Sequence, residues 1–158
     1  MTQWIISLSG ILTLAFEPLL DMSKLDDVRI GDEEYLRLGF PELHFIASNS
    51  DHPCDFRNLR SLLKFLRNGF AHGNTELIPG PWSQGTHNGI LRAVVNSSLA
   101  GIAVWNTDRG VVTKSLALGF HDISAFINAL GRLCNDKSYW NEAALNWSGE
   151  QVLKKYGW

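Results

Sequence analysis

Residues 51–70 read DHPCDFRNLRSLLKFLRNGF. Phe56, Leu59, Leu63, Leu66 and Phe70 recur in it at spacings of 3, 4, 3 and 4, the repeat of one buried face of an α-helix. Leu62 and Phe65 widen that stripe. Asp51 is a good N-cap, and Pro53 stands near the first helical position, where a missing N–H does no harm. The pattern predicts a helix over 51–70, the most buried of the fold. Two further apolar stripes have the same period. One is Trp4, Ile5, Leu8, Ile11, Leu12 and Ala15, predicting a helix over 4–16 that Pro18 ends or kinks. The other is Ile123, Phe126, Ile127, Leu130, Leu133 and Cys134, predicting a helix over 122–134. Three apolar stripes need one shared core, so the expected fold class is mainly α, a helical bundle.

Between these helices the chain changes character. Residues 17–42 carry eight acids against three bases, a local net of −5, and read as a surface connection with a helical piece over 32–38. Pro41 opens a short apolar stretch, 43–47, predicted as a further helix. Residues 73–89, GNTELIPGPWSQGTHNG, hold four glycines and two prolines and read as a long loop of the kind that is often functional. Val and Ile then dominate 90–95, 102–105 and 111–118. With a hairpin loop at 106–110 these predict a small antiparallel sheet, although 90–95 also suits a helix. One short helix is expected over 149–156.

The 158 residues suit a single domain over 1–158, and at this length roughly 68–70% of the unfolded surface is buried without a disulfide or metal as a staple. A net charge of −2 means that nucleic-acid binding must come from a local basic patch. The two cysteines, Cys54 and Cys134, stand 80 positions apart, which argues against a zinc ribbon, a redox pair and a secreted disulfide scaffold and suits a cytoplasmic protein with reduced thiols. No HxH, HExxH or His pair four apart occurs, so no metal site and no cofactor is expected. Residues 4–16 are too short for a membrane span, which needs about 20 apolar residues, and no basic residue precedes them as in a signal peptide.

Chemistry concentrates at the end of the predicted central helix. Arg57, Arg60, Lys64 and Arg67 are spaced 3, 4 and 3, a cationic stripe beside the apolar one. Such a stripe most often marks a solvated face; here it is also a candidate phosphate-binding surface for RNA. Asn68 and His72 are neighbours four apart. Arg67 and His72 lie about 140° apart on an ideal helix, so they converge only if the arginine reaches round or the helix unwinds near Gly69. Arginine offers a planar fork of donors to a phosphate, and histidine exchanges a proton near neutral pH. An RNA 2′-hydroxyl is an internal nucleophile, so a base and a cation are enough to cut RNA without metal. Arg67, Asn68 and His72 are therefore the candidate catalytic residues.

The string LRNGFAHGN over 66–74 resembles the signature of the HEPN superfamily, an arginine followed after four to six residues by a histidine. Arg67 matches the arginine, Asn68 the common polar second position and His72 the histidine. Gly69 departs from the pattern, since many members have a good helix former there. The resemblance implies an HEPN-like antiparallel helical bundle, usually a homodimer that brings two motifs together. It implies a metal-independent endoribonuclease of toxin or defence type, which a neutralising antitoxin partner can accompany. Other members are non-catalytic RNA-binding or interaction modules, and that is the alternative function. The sheet expected after the motif helix resembles an elaboration of plasmid-borne members.

Overall fold

The computed structural model describes residues 8, 10, 12, 19–43, 46–48, 56–80, 85–87, 90–92 and 98–145. In chain order its elements are helix α1 (Met22–Asp27), helix α2 (Glu33–Leu38), strand β1 (Ile46–Ser48), helix α3 (Leu59–Ala71), strands β2 (Thr75–Gly80), β3 (Gly85–His87), β4 (Ile90–Arg92), β5 (Ser98–Asp108) and β6 (Val111–Gly119), and helix α4 (Phe120–Asn135). A 3-10 turn (Lys137–Tyr139) and the short helix α5 (Glu142–Leu145) follow. The main sheet is antiparallel with order β1-β6-β5-β2, and β3 and β4 pair as a separate hairpin.

The fold is α+β. The expected mainly α, HEPN-like bundle is therefore corrected: Ile102, Val104, Leu116 and Leu118 build one face of the sheet into the same core as the helices. Strands β5 and β6 run for 11 and 9 residues around a tight turn. Arg109 and Gly110 both take positive φ there, 49° and 81°, as a two-residue type I′ turn requires. Ile102 pairs with Leu118 and Val104 with Leu116, so these four share one face. That face meets Leu59, Leu62, Leu63 and Leu66 of α3 and Phe126, Leu130 and Leu133 of α4 in one buried cluster. The opposite face carries Gly101, Ala103, Ser115 and Ala117, all buried, and β4 lies against β5 and β6 without pairing to either.

Several boundaries move. Helix α3 starts at Leu59, with Asn58 as N-cap accepting from the Ser61 N–H at 2.9 Å. Phe56 and Arg57 lie outside any helix. The Arg57 carbonyl accepts from the Ile30 N–H, and the Val28 carbonyl accepts from the Leu59 N–H. Phe56 still reaches the core, edge to face with Phe65 at 4.9 Å; its spacing mimics a helical turn that the backbone does not make. The predicted Asp51 cap lies outside the described residues. The acidic 17–42 segment is more than a surface connection: α1 and α2 place Leu25, Tyr35 and Leu38 in the core. Each has only six residues, too few for a period to show. Residues 46–48 are strand where a helix was expected.

The long loop expected over 73–89 contains β2 and β3. Strand β2 tolerates Pro79 because it is an edge strand, and its register to β5 shifts between Ile78 and Pro79. The strands expected over 102–105 and 111–118 fall within β5 and β6, whose turn is shorter than the loop expected over 106–110. Leu8, Gly10 and Leu12 are helical, with both leucines buried; the rest of the 4–16 helix and the whole of 149–156 lie outside the described residues. Among the described residues no helix is long and apolar enough to cross a membrane.

Candidate functional site

Helix α3 ends in a Schellman motif. The Asn74 N–H donates to the Gly69 carbonyl at 2.8 Å and the Gly73 N–H to the Phe70 carbonyl at 3.2 Å. Gly73 supplies the left-handed residue that the motif requires, with φ +67°. His72 is the C-cap residue and is exposed. The chain then enters β2, and the Asn74 carbonyl accepts from the Trp105 N–H of β5 at 3.1 Å. The end of α3 is thereby stitched to the middle of the sheet.

Gly69 makes that approach possible. The helix does not unwind there; it continues to Ala71. A Cβ at Gly69 would collide with the Val104 side chain and stand 3.3 Å from the Trp105 carbonyl oxygen. The glycine is therefore a packing requirement, which outweighs its cost of about 1 kcal/mol in helix propensity. Asn106 belongs to the helix-facing side of β5 with Val104, and its Oδ1 would be 3.8 Å from the same Cβ.

The result is a polar pocket of about 360 Å³ lined by Asn68, His72, Asn74, Asn106 and Thr107. That volume lies at the small end of the range for ligand sites. A β-bulge shapes its sheet side. Asn106 pairs with Lys114 and Thr107 with Val112, which leaves Thr113 without a partner, and the Thr113 hydroxyl donates to the Asn106 carbonyl at 3.3 Å. Bulges of this kind re-aim side chains and recur beside functional sites. Among the described residues the amides of Asn68, Asn74 and Asn106 make no side-chain hydrogen bond, and no buried polar side-chain atom is left unsatisfied. The pocket therefore offers solvated donors and acceptors.

Of the candidate catalytic residues, Asn68 and His72 meet in this pocket and Arg67 is not in its lining. Arg67 is half-buried and already engaged, as is the exposed Arg57, which lies before the helix begins. Arg60 donates to Asp26 of α1, so part of the expected phosphate-binding stripe is charge-compensated. Lys64 is exposed on the same helix face. Asn74, Asn106 and Thr107 join the site without having been expected. Asn74 stood beside the motif, but Asn106 and Thr107 arrive through strand pairing, which leaves no local mark in the sequence.

A larger depression of about 730 Å³ lies over the end of α4, lined by Asn128, Gly131, Arg132, Asn135 and Asp136. It is shallow and open, and part of its polar lining is occupied. The Asn135 amide donates to the Gly131 carbonyl at 2.8 Å, and Asp136 accepts from the Ser138 N–H and hydroxyl. The His72 pocket is the better site because it is the more enclosed of the two. Among the described residues no three His, Cys, Asp or Glu side chains are grouped to hold a metal ion. No protein-family model, no curated protein and no solved structure matches the chain.

Proposed function

We propose that this protein binds single-stranded RNA, with the pocket at the end of α3 receiving a nucleotide and the exposed face of α3 meeting the backbone. One observation carries the reading: three amides, a hydroxyl and an imidazole converge in one polar pocket beside the exposed Lys64. Amides and hydroxyls are the groups that read base edges and ribose hydroxyls, and a cation on the adjoining surface supplies phosphate attraction. The position of Arg67 outside the pocket's lining favours the non-catalytic module. On this reading the protein acts in the cytoplasm and requires no cofactor.

Cleavage is the second reading, and the exposure of His72 in the pocket favours it. An imidazole there can take the proton of a 2′-hydroxyl, and the hydroxyl then attacks the adjacent phosphate to give a 2′,3′-cyclic phosphate and a 5′-hydroxyl. The missing cation would come from Arg67 of a second copy in a homodimer. A neutralising antitoxin partner belongs to this reading only.

Fluorescence anisotropy with a labelled single-stranded RNA tests binding. Lys64→Ala should weaken it and reduce the salt slope by about 0.7; His72→Ala and Asn68→Ala should weaken it with little change in slope. No binding at low salt ends the proposal. Incubation of the same RNA in EDTA separates the readings. Cyclic-phosphate products that disappear in His72→Ala, by a factor of about 10²–10⁴ in rate, establish cleavage; intact RNA that remains bound leaves the module.

A further inference from the structure

We propose that Lys114 of β6 is a second phosphate-binding cation beside the pocket, so that the RNA strand leaves the pocket toward the start of α3 and meets Lys64 from the helix and Lys114 from the sheet. This rests on the RNA reading of the same pocket and names the path of the strand. Register places the lysine. Lys114 pairs directly with Asn106, the last pair before the bulge, and the Cβ atoms of such a pair stand about 4.5–5.5 Å apart. Side chains alternate along a strand, so Lys114 shares the side of Leu116 and Leu118, which faces the helices.

A ring contact fixes its direction. The Lys114 Nζ lies 5.6 Å from the centroid of the Phe56 ring, and Phe56 packs edge to face on Phe65 at 4.9 Å. Phe65 stands three residues before Asn68 in α3, and Lys64 four residues before it, each about one turn. Both ammonium groups are therefore on the side of the pocket toward the start of α3, whereas His72 and Asn74 belong to its other end. Neither lysine lines the pocket, but each neighbours a residue that does, Asn68 for Lys64 and Asn106 for Lys114.

The charge of the two lysines is available. Arg60 is paired with Asp26, Lys24 with Asp21 and Arg37 with Glu34. Among the described residues neither Lys64 nor Lys114 has an acidic partner. The Phe56 ring attracts the Lys114 ammonium without using its N–H donors, so the cation is held in place and can still meet an anion. In a chain of net charge −2, two cations on one side of a polar pocket supply the local basic patch that nucleic-acid binding needs.

The test follows the salt dependence of single-stranded RNA binding to the full chain. Lys114→Met keeps an apolar stem against Phe56 and removes the charge; it should lower the slope by about 0.7, and Lys64→Ala with Lys114→Met by about 1.4. Lys114→Arg keeps the charge and should keep the slope, which separates phosphate attraction from packing. Lys137→Ala removes a cation held over Trp140 and should leave the slope unchanged. Acetylation of the parent protein, read by mass spectrometry, needs no variant: bound RNA should protect Lys64 and Lys114 but not Lys137. An unchanged slope in folded Lys114→Met, or equal acetylation of Lys114 with and without RNA, overturns the role of Lys114 and leaves RNA binding standing. An equal loss of slope in Lys137→Ala reduces the attraction to total charge and also overturns it. A nucleoside monophosphate whose binding needs both lysines, where no oligomer binds, supports the phosphate site and overturns the RNA reading. Binding of neither probe overturns both.

Discussion

Gly69 and Gly131 are both helical glycines with opposite surroundings. At Gly69 a methyl group meets Val104 and the Trp105 carbonyl, whereas at Gly131 it meets nothing within 4 Å. Gly69→Ala should therefore destabilise the fold by about 1–3 kcal/mol through overpacking, even though alanine is the better helix former. Gly131→Ala should stabilise it by about 0.5–1 kcal/mol, the ordinary gain in a helix interior. Urea unfolding of the two variants gives the signs directly. A stabilising Gly69→Ala would mean that α3 does not lie against β5 as described. Gly69→Ala should also weaken the RNA binding proposed for the pocket, because Asn106 must move with Val104.

Helix α3 is an element whose face was plain and whose start was not. Its stripe of leucines is buried as the period requires. Its N-terminus is set by Asn58, whose side chain accepts from the Ser61 N–H and donates to Asp26 of α1 at 3.2 Å. The Asn58 segment also bridges to Arg29. Those contacts join residues about thirty positions apart, so no local spacing rule along the chain announces them. Asn58→Ala should cost about 0.5–2 kcal/mol, read as a lower urea midpoint with unchanged slope. A change under about 0.3 kcal/mol would place the start of α3 elsewhere. At the other end the helix runs past Gly69 and the expected end at Phe70 to Ala71, with His72 as C-cap and Gly73 in the left-handed conformation that stops it.

Across the whole molecule the two ends of the described chain close on each other. Leu20 bridges to Trp140, the Asp21 N–H donates to the Tyr139 carbonyl and the Asn141 N–H to the Leu19 carbonyl. Glu34 secures the junction from α2. It accepts two hydrogen bonds from Arg37, at 2.7 and 2.6 Å, and one from the Tyr139 hydroxyl. The Arg37 guanidinium, followed by Tyr139, holds the Glu34 carboxyl down to about 2. A carboxyl with a depressed folded pKa stabilises above its unfolded value, about 4.3, and loses that contribution as pH falls toward 2. The Arg37 side chain is more than half exposed and Glu34 over a third, so solvent screening limits the effect to about 1 kcal/mol or less. Thermal melts between pH 2 and 7 should show Glu34→Gln less stable than the parent at pH 7, with the gap closing below pH 4. Parallel profiles would remove Glu34 from the account of acid sensitivity.

The sequence by itself determined the buried faces of α3 and α4, the helical piece after Asp32, and the β5–β6 hairpin with its turn ending at Gly110. Each depends on residues within one or two turns of one another, where periodicity, caps and positive-φ positions act locally. Only the tertiary structure decided that the hairpin is a platform for the helices, that 75–80 is an edge strand, and that Asn106 and Thr107 stand beside Asn68 and His72. Strand pairing is non-local, so its partners carry no spacing rule along the chain. Gly69 shows the division most plainly: locally it weakens a helix, and its reason for being there is the strand that lies across it.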